Sequence, residues 1–180
     1  MNVTSLSNDW LVYDATQDKA SVTKDWRLSD KCVIDGVFVL EVKPVLTDYG
    51  HLTEVLRSEW LTEAPGVDQV FVSTMHPGRI SAWHAHACTT DRLFAVTGQF
   101  RVVLYDARQD SPTFGQLNEY KIGAQRPMLI VIPPKVWHGV QNYGSEISVL
   151  LNAVDNAYKY NNPDHWRIPQ NSTEIPYQFP

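Results

Sequence analysis

Cysteine is scarce in this chain: Cys32 and Cys88 are the only two in 180 residues. They form no CxxC pair, so a reduced, cytoplasmic setting is expected rather than a disulfide framework. Basic stretches are missing as well. Lys and Arg number 15 against 20 Asp and Glu, a net charge of −5, which excludes a broad surface for a nucleic-acid backbone. No apolar run approaches the roughly 18 residues of a membrane span. Met1–Trp10 has neither the basic nor the apolar region of a secretory signal, so none is expected. A sustained helical period is also lacking, and the best candidate, Glu54–Trp60, is short. Hydrophobic residues at 43% and charged residues at 19% exclude disorder. The length suits a single domain.

Short bursts of period-two hydrophobicity run through the rest. Val37–Leu40, Val70–Val72, Leu93–Val96, Phe100–Tyr105, Met128–Ile132 and Ile147–Leu151 carry it. Pro77-Gly78, Thr97-Gly98, Ser111-Pro112, Pro133-Pro134 and Tyr143-Gly144 separate the bursts. Many short strands between turn signals predict an all-β sandwich or barrel. Residues 1–35 read as an N-terminal arm and 36–180 as the domain. The proline-rich stretch from Asn161 to Pro180 reads as an ordered tail, pinned by Trp166 and Tyr177.

The chemistry concentrates in histidines. In Trp83-His84-Ala85-His86 the two imidazoles share one face of a strand. Asp91 follows, read as part of the same hairpin, and His138 closes Ile132–His138 with Asn142 shortly after. A lone histidine is most simply a satisfied polar residue; three in this pattern point to a site. Two chemistries stay open. Imidazoles can trade protons as base and acid near neutral pH. Alternatively His84, His86, Asp91 and His138 suit a transition metal such as Zn, Fe, Ni, Cu or Mn. The plain alternative for Asp91 is an ion pair with Arg92 or Arg101. Trp83 and Trp137 face away from the site, and covering them predicts a homodimer. Cys88 is expected to be a small buried hydrophobe.

Gly78, His84-Ala85-His86, Asp91 and Gly98 resemble the first motif of jelly-roll cupins, with Asp91 where glutamate is usual. Pro133, His138 and Asn142 resemble the second, whose usual glycines are Pro127 and Lys135 here. The resemblance implies a cupin-type double-stranded β-helix. Over Gly36–Phe179 the chain is similar to the dTDP-4-dehydrorhamnose 3,5-epimerases. Pro44–Glu54, Gln69–His84, Asp106–Gly115 and Val131–Gly139 carry the similarity.

That family implies a nucleotide-linked 4-keto-6-deoxy sugar as substrate and His84 as the base beside the ketone. It also places Glu54, Gln69 and Ser73 at the nucleotide. Its acid tyrosine falls at Leu151, its lysine at Asp91, and its arginines at Ser81 and Tyr49. Its orienting aspartate falls at Gln170 or Asn171, and Tyr143 or Tyr105 could replace the tyrosine. The His84-Ala85-His86 pair resembles that of the dTDP-4-keto-6-deoxyglucose 3,4-ketoisomerases. The leading expectation is therefore an isomerase or epimerase without a cofactor. Its acid-base groups are His84, His86 and His138, and Glu54, Gln69, Ser73 and Tyr143 bind substrate. A metal-dependent cupin enzyme is the alternative, and a non-catalytic sugar-binding cupin the second alternative.

Overall fold

A computed structural model describes residues 10–18, 20–25, 32–61 and 66–180. Residues 1–9, on which part of the arm reading falls, lie outside the described residues. The chain resolves into two compact units, Met1–Lys31 and Cys32–Pro180. In the first, the described residues form turns, with the Ala15 N–H donating to the Val12 carbonyl at 3.1 Å.

The second unit is built of strands: β1 (Phe38–Glu41), β2 (Val45–Thr47), β3 (Gly50–Leu52), β4 (Gln69–Met75), β5 (Ile80–Ala85) and β6 (Asp91–Thr97). They continue as β7 (Gln99–Tyr105), β8 (Leu117–Gly123), β9 (Met128–Ile132), β10 (Trp137–Asn142), β11 (Ser148–Val154) and β12 (Trp166–Arg167). One five-stranded sheet has the order β1-β9-β6-β11-β4, the other β12-β5-β10-β7-β8, and β2 pairs with β3 as a separate ribbon. Every pairing is antiparallel. Of the short helical candidate only Ser58–Trp60 is helical, as one 3-10 turn.

Period two sorts the side chains. On β7, Phe100, Val102 and Leu104 enter the core between the sheets, where they meet Leu93, Ala95, Ile130, Ile132, Val140 and Leu150. Each fully buried aliphatic side chain of this kind stabilises by roughly 1.5–3 kcal/mol. The intervening Val103 joins a second cluster on the outer face with Trp83 and Ile175. Gly98 turns β6 into β7 at φ +77°, and a Cβ there would overlap Ser148, so only glycine fits.

Two expectations change here. His84 and Asp91 are not in one hairpin, because β5 and β6 lie in different sheets. Residues 86–90 form the corner between them. In addition, Trp83 is covered by the chain's own tail: its ring centroid lies 5.2 Å from Phe179 and 6.1 Å from Tyr177. Cover for that face therefore needs no second subunit. Tyr177 packs the tail on Trp83, while Trp166 joins β5 by backbone pairing with Ala85 and stays 62% exposed.

Candidate metal centre

His84 pairs directly across β5–β10 with His138, and across β5–β12 with Arg167. Cross-strand partners point to one face, so three neighbouring strands aim side chains into the same end of the sandwich. His86 follows from the end of β5, and Asp91 opens β6 in the opposite sheet. One potential ligand atom each from His84, His86 and His138 lie within 4.8 Å of one another. Asp91 Oδ2 is 3.1 Å from His86 Nε2 and 3.2 Å from His138 Nε2. Asn152 Nδ2 donates to Asp91 Oδ1 at 2.6 Å and so fixes the carboxylate. Asp91 thus faces imidazoles; of the two arginines in the plain alternative, Arg101 sits with Glu119 at 3.3 Å and donates to Gln141, and Arg92 donates to the Ala153 carbonyl at 3.4 Å.

The other ring nitrogens are set by the backbone. His138 Nδ1 lies 3.0 Å from the Val136 carbonyl, and His86 Nδ1 2.5 Å from the Asp164 carbonyl. A carbonyl only accepts, so each Nδ1 carries its proton and Nε2 faces the centre. His84 Nδ1 is buried with no hydrogen-bond partner. Burial, reinforced by His138, holds the His84 pKa well below the ordinary histidine value. For His86 burial pulls the same way, but Asp91 and the Asp164 carbonyl outweigh it and raise the pKa. Burial would push Asp91 up, yet His138 and His86 hold it well below the usual carboxylate range. The site accordingly favours an ionised Asp91 beside a proton-binding His86.

This arrangement fits a metal ion. It offers converging imidazoles, an ionised carboxylate, an orphaned buried nitrogen and rings oriented from behind by carbonyls. A cation would compete with the proton that Asp91 favours on His86. The expectation of a site without a cofactor is corrected by this cluster. The His84-Ala85-His86 pair is likewise not a unit by itself. The His84 and His138 rings are 4.1 Å apart, against 6.0 Å for His84 and His86.

The cluster opens into a cavity of about 630 Å³, whose walls include Gln69, Ser73, Ser81, Leu150, Asn152 and Tyr158. That volume suits a small organic ligand. Gln69 and Ser73 therefore reach the site. Glu54 does not: it pairs with Arg57 at 2.8 Å and lines a separate pocket of about 400 Å³ with Leu40 and Trp60. Tyr143 packs under Arg101, 5.7 Å from the guanidinium carbon to the ring centroid, and is not among the cavity-lining residues. Tyr105 packs into the outer cluster. Cys88 is exposed, contrary to expectation, because the corner turns it toward Asp164.

Sequence reasoning missed His165. Its ring stacks on His84 with centroids 5.2 Å apart and lies 5.0 Å from His86, and its Nε2 is buried without a hydrogen-bond partner. Burial, aided by Arg167, lowers its pKa. No motif spacing marks this residue, which reaches the site only because β12 pairs with β5.

Two antiparallel sheets holding histidines and a carboxylate at one end define a cupin. The profile described as dTDP-4-dehydrorhamnose 3,5-epimerase matches residues 31–179, and the chain belongs to that family, one of nucleotide-sugar epimerases and isomerases. It is 39% identical over 137 residues to the "Probable low-salt glycan biosynthesis epimerase Agl13" of Haloferax volcanii, covering 76% of this chain and 88% of that protein. It is 36% identical over 148 residues to the spore coat polysaccharide biosynthesis protein SpsL of Bacillus subtilis, covering 82% and 97%. A crystal structure of a dTDP sugar isomerase from Desulfovibrio desulfuricans superimposes with a TM-score of 0.74 at 27% identity, covering 81% of this chain and 91% of that one. Among the described residues no helix is long and apolar enough to cross a membrane.

Proposed function

We propose that this protein is a metal-dependent cupin enzyme that epimerises or isomerises a nucleotide-linked keto sugar. The observation that carries the reading is the convergence of His84, His86, His138 and Asp91, with His84, His86 and Asp91 lining a cavity of substrate size and His138 buried behind them. Those four residues would hold the ion. When bound, such a metal supplies a Lewis acid for a ketone oxygen, which favours loss of a proton from the adjacent carbon. Membership in the epimerase family supports the substrate class.

The chain's own groups do the rest. Asn152 keeps Asp91 aimed. Gln69 and Ser73 present an amide and a hydroxyl along the inner face of β4, where they can bind polar groups of the substrate. Phe71, Met75 and Leu150 add apolar surface to the cavity lining. His165 stands outside the ligand set with Nε2 unpartnered, and it can take the substrate proton that the family resemblance assigns to His84. Leu151 cannot donate a proton, so a double epimerisation through the family's acid tyrosine is not part of this reading. A homodimer remains part of it, moved from the Trp83 face to the edge of β4, where Val70 and Val72 are exposed. Light scattering of wild type and a Val72→Lys variant tests that placement, with a monomeric variant expected.

Elemental analysis of the untagged, natively purified protein tests the function, with an EDTA-treated and metal-reconstituted control. Near-stoichiometric metal that disappears in His138→Ala is expected. Metal-dependent exchange of solvent deuterium into a dTDP-4-keto sugar should accompany it. A wild-type protein that neither carries nor takes up metal would overturn the reading.

A further inference from the structure

We propose that Asp164, in the tail segment leading to β12, is the positioning residue of the histidine cluster, locking His86 in the orientation that presents Nε2 to the site. The proposal rests on the metal reading above for its consequence, but its geometry stands alone.

The corner between β5 and β6 is where the chain leaves one sheet for the other, so residues 87–89 sit in neither strand ladder. Asp164 takes the ladder's place. One carboxylate oxygen accepts from the Ala87 N–H at 2.6 Å. The other accepts from the Cys88 N–H at 2.9 Å, the Thr89 hydroxyl at 2.9 Å and the Cys88 thiol at 3.2 Å. Four donors on three successive residues thus converge on one side chain. The carbonyl of the same residue receives the His86 Nδ1–H.

The two halves of Asp164 act together. The carboxylate grips the corner just after His86, and this grip fixes where the carbonyl stands relative to the His86 ring. With Nδ1 occupied, the ring can offer only Nε2 to Asp91 and the other imidazoles. Without the grip, the carbonyl is free to drift and the ring free to turn about its χ2 bond. His165 is the next residue, so the same clasp also sets the ring stacked on His84. Outer partners of metal-binding histidines of this kind are typically worth about 10–100-fold in metal affinity.

A mere loop staple would lower the melting temperature and nothing else. The test therefore uses full-length Asp164→Ala and Asp164→Asn, measured well below their melting temperatures. Co²⁺ titration should show binding weakened about 10–100-fold in Asp164→Ala, with altered d–d bands in the loaded protein. Asp164→Asn, which keeps one acceptor oxygen, should lie between this variant and wild type, and it carries the test if the alanine variant does not fold.

In the metal-free protein, nitrogen-15 spectra should show a hydrogen-bonded His86 Nδ1–H that is lost in Asp164→Ala. His138, held by Val136, should be unchanged and serves as the internal control. If wild type binds no Co²⁺, the metal reading fails, and the His86 Nδ1–H signal alone decides the role of Asp164. Wild-type Co²⁺ affinity together with an unchanged His86 signal in both variants would overturn the proposal.

Discussion

The two faces of β5 carry opposite kinds of surroundings. Trp83 looks outward and is completely buried under Ile175, Tyr177 and Phe179 of the tail, and Ala85 on the same side is buried where β12 pairs with β5. His84, one residue away, looks inward to a polar cluster that keeps an orphaned nitrogen. One face has satisfied its packing, and the other gathers polar groups at a cavity. The same tail serves both, since residues 164–167 close on the imidazoles while residues 175–179 seal the tryptophan. Stability and chemistry are thereby assigned to alternate residues of one strand.

Separate losses should follow from separate faces. The largest effect is expected for His138→Ala, which removes one of the proposed metal ligands on the inner side. Metal content should fall to trace levels, exceeding the roughly 10–100-fold loss typical of outer-shell partners, while the denaturation midpoint of the metal-free protein moves little. Trp83→Ala should do the reverse. It should cost roughly 3–5 kcal/mol by urea denaturation, with Co²⁺ affinity of the folded fraction retained. A variant of either face that lost both properties equally would break the comparison.

A third variant lies on neither face. Asp106, fully buried after β7, accepts from the Arg108 guanidinium at 2.8 Å and from Ser111 and Thr113. Burial alone would raise its pKa, but these donors hold it well below the ordinary carboxylate value. A depressed folded-state pKa means its stabilisation is complete above the unfolded value of about 4 and is lost as pH falls below it. Asp106→Asn should cost about 1–3 kcal/mol at pH 7, less in acid, with metal binding untouched; denaturation across pH measures this.

The smallest effect is expected at Lys135, which holds φ at +68° where the second cupin motif usually has glycine. Its N–H donates to the His86 carbonyl at 2.6 Å, so the turn supports the site. Left-handed backbone costs a non-glycine residue roughly 1–2 kcal/mol, partly offset by the entropy glycine loses on folding. Lys135→Gly should gain somewhat under about 1 kcal/mol of stability with site geometry unchanged, checked by thermal melts and Co²⁺ spectra.

Local pattern made much of this legible. Strand periodicity placed His84 and His86 on one face and Trp83 on the other, because alternation is a property of two or three adjacent residues. The motif around His138 marked the third imidazole, and the similarity over Pro44–Glu54 and Gln69–His84 marked the family. Gln69 and Ser73, two strand steps apart on β4, both line the cavity as the pattern allows. Glu54 and Tyr143, carried over by resemblance or proximity in sequence, lie away from it, since nothing local specifies which cavity a loop residue enters.

Composition and alternation by themselves determined an all-β domain with histidines sorted to one strand face. They also determined that the chain has no basic block and no apolar run long enough for a membrane span. Only the tertiary structure decided that Asp91 faces those histidines from the opposite sheet rather than from their own hairpin. It alone decided that Asp164 and His165 arrive from the tail to complete the site, and that the tail covers Trp83. These contacts join residues far apart in the chain, His86 and Asp164 being 78 positions apart and Trp83 and Phe179 farther still. Their energies depend on distance in space, which sheet pairing sets and a sequence window cannot contain.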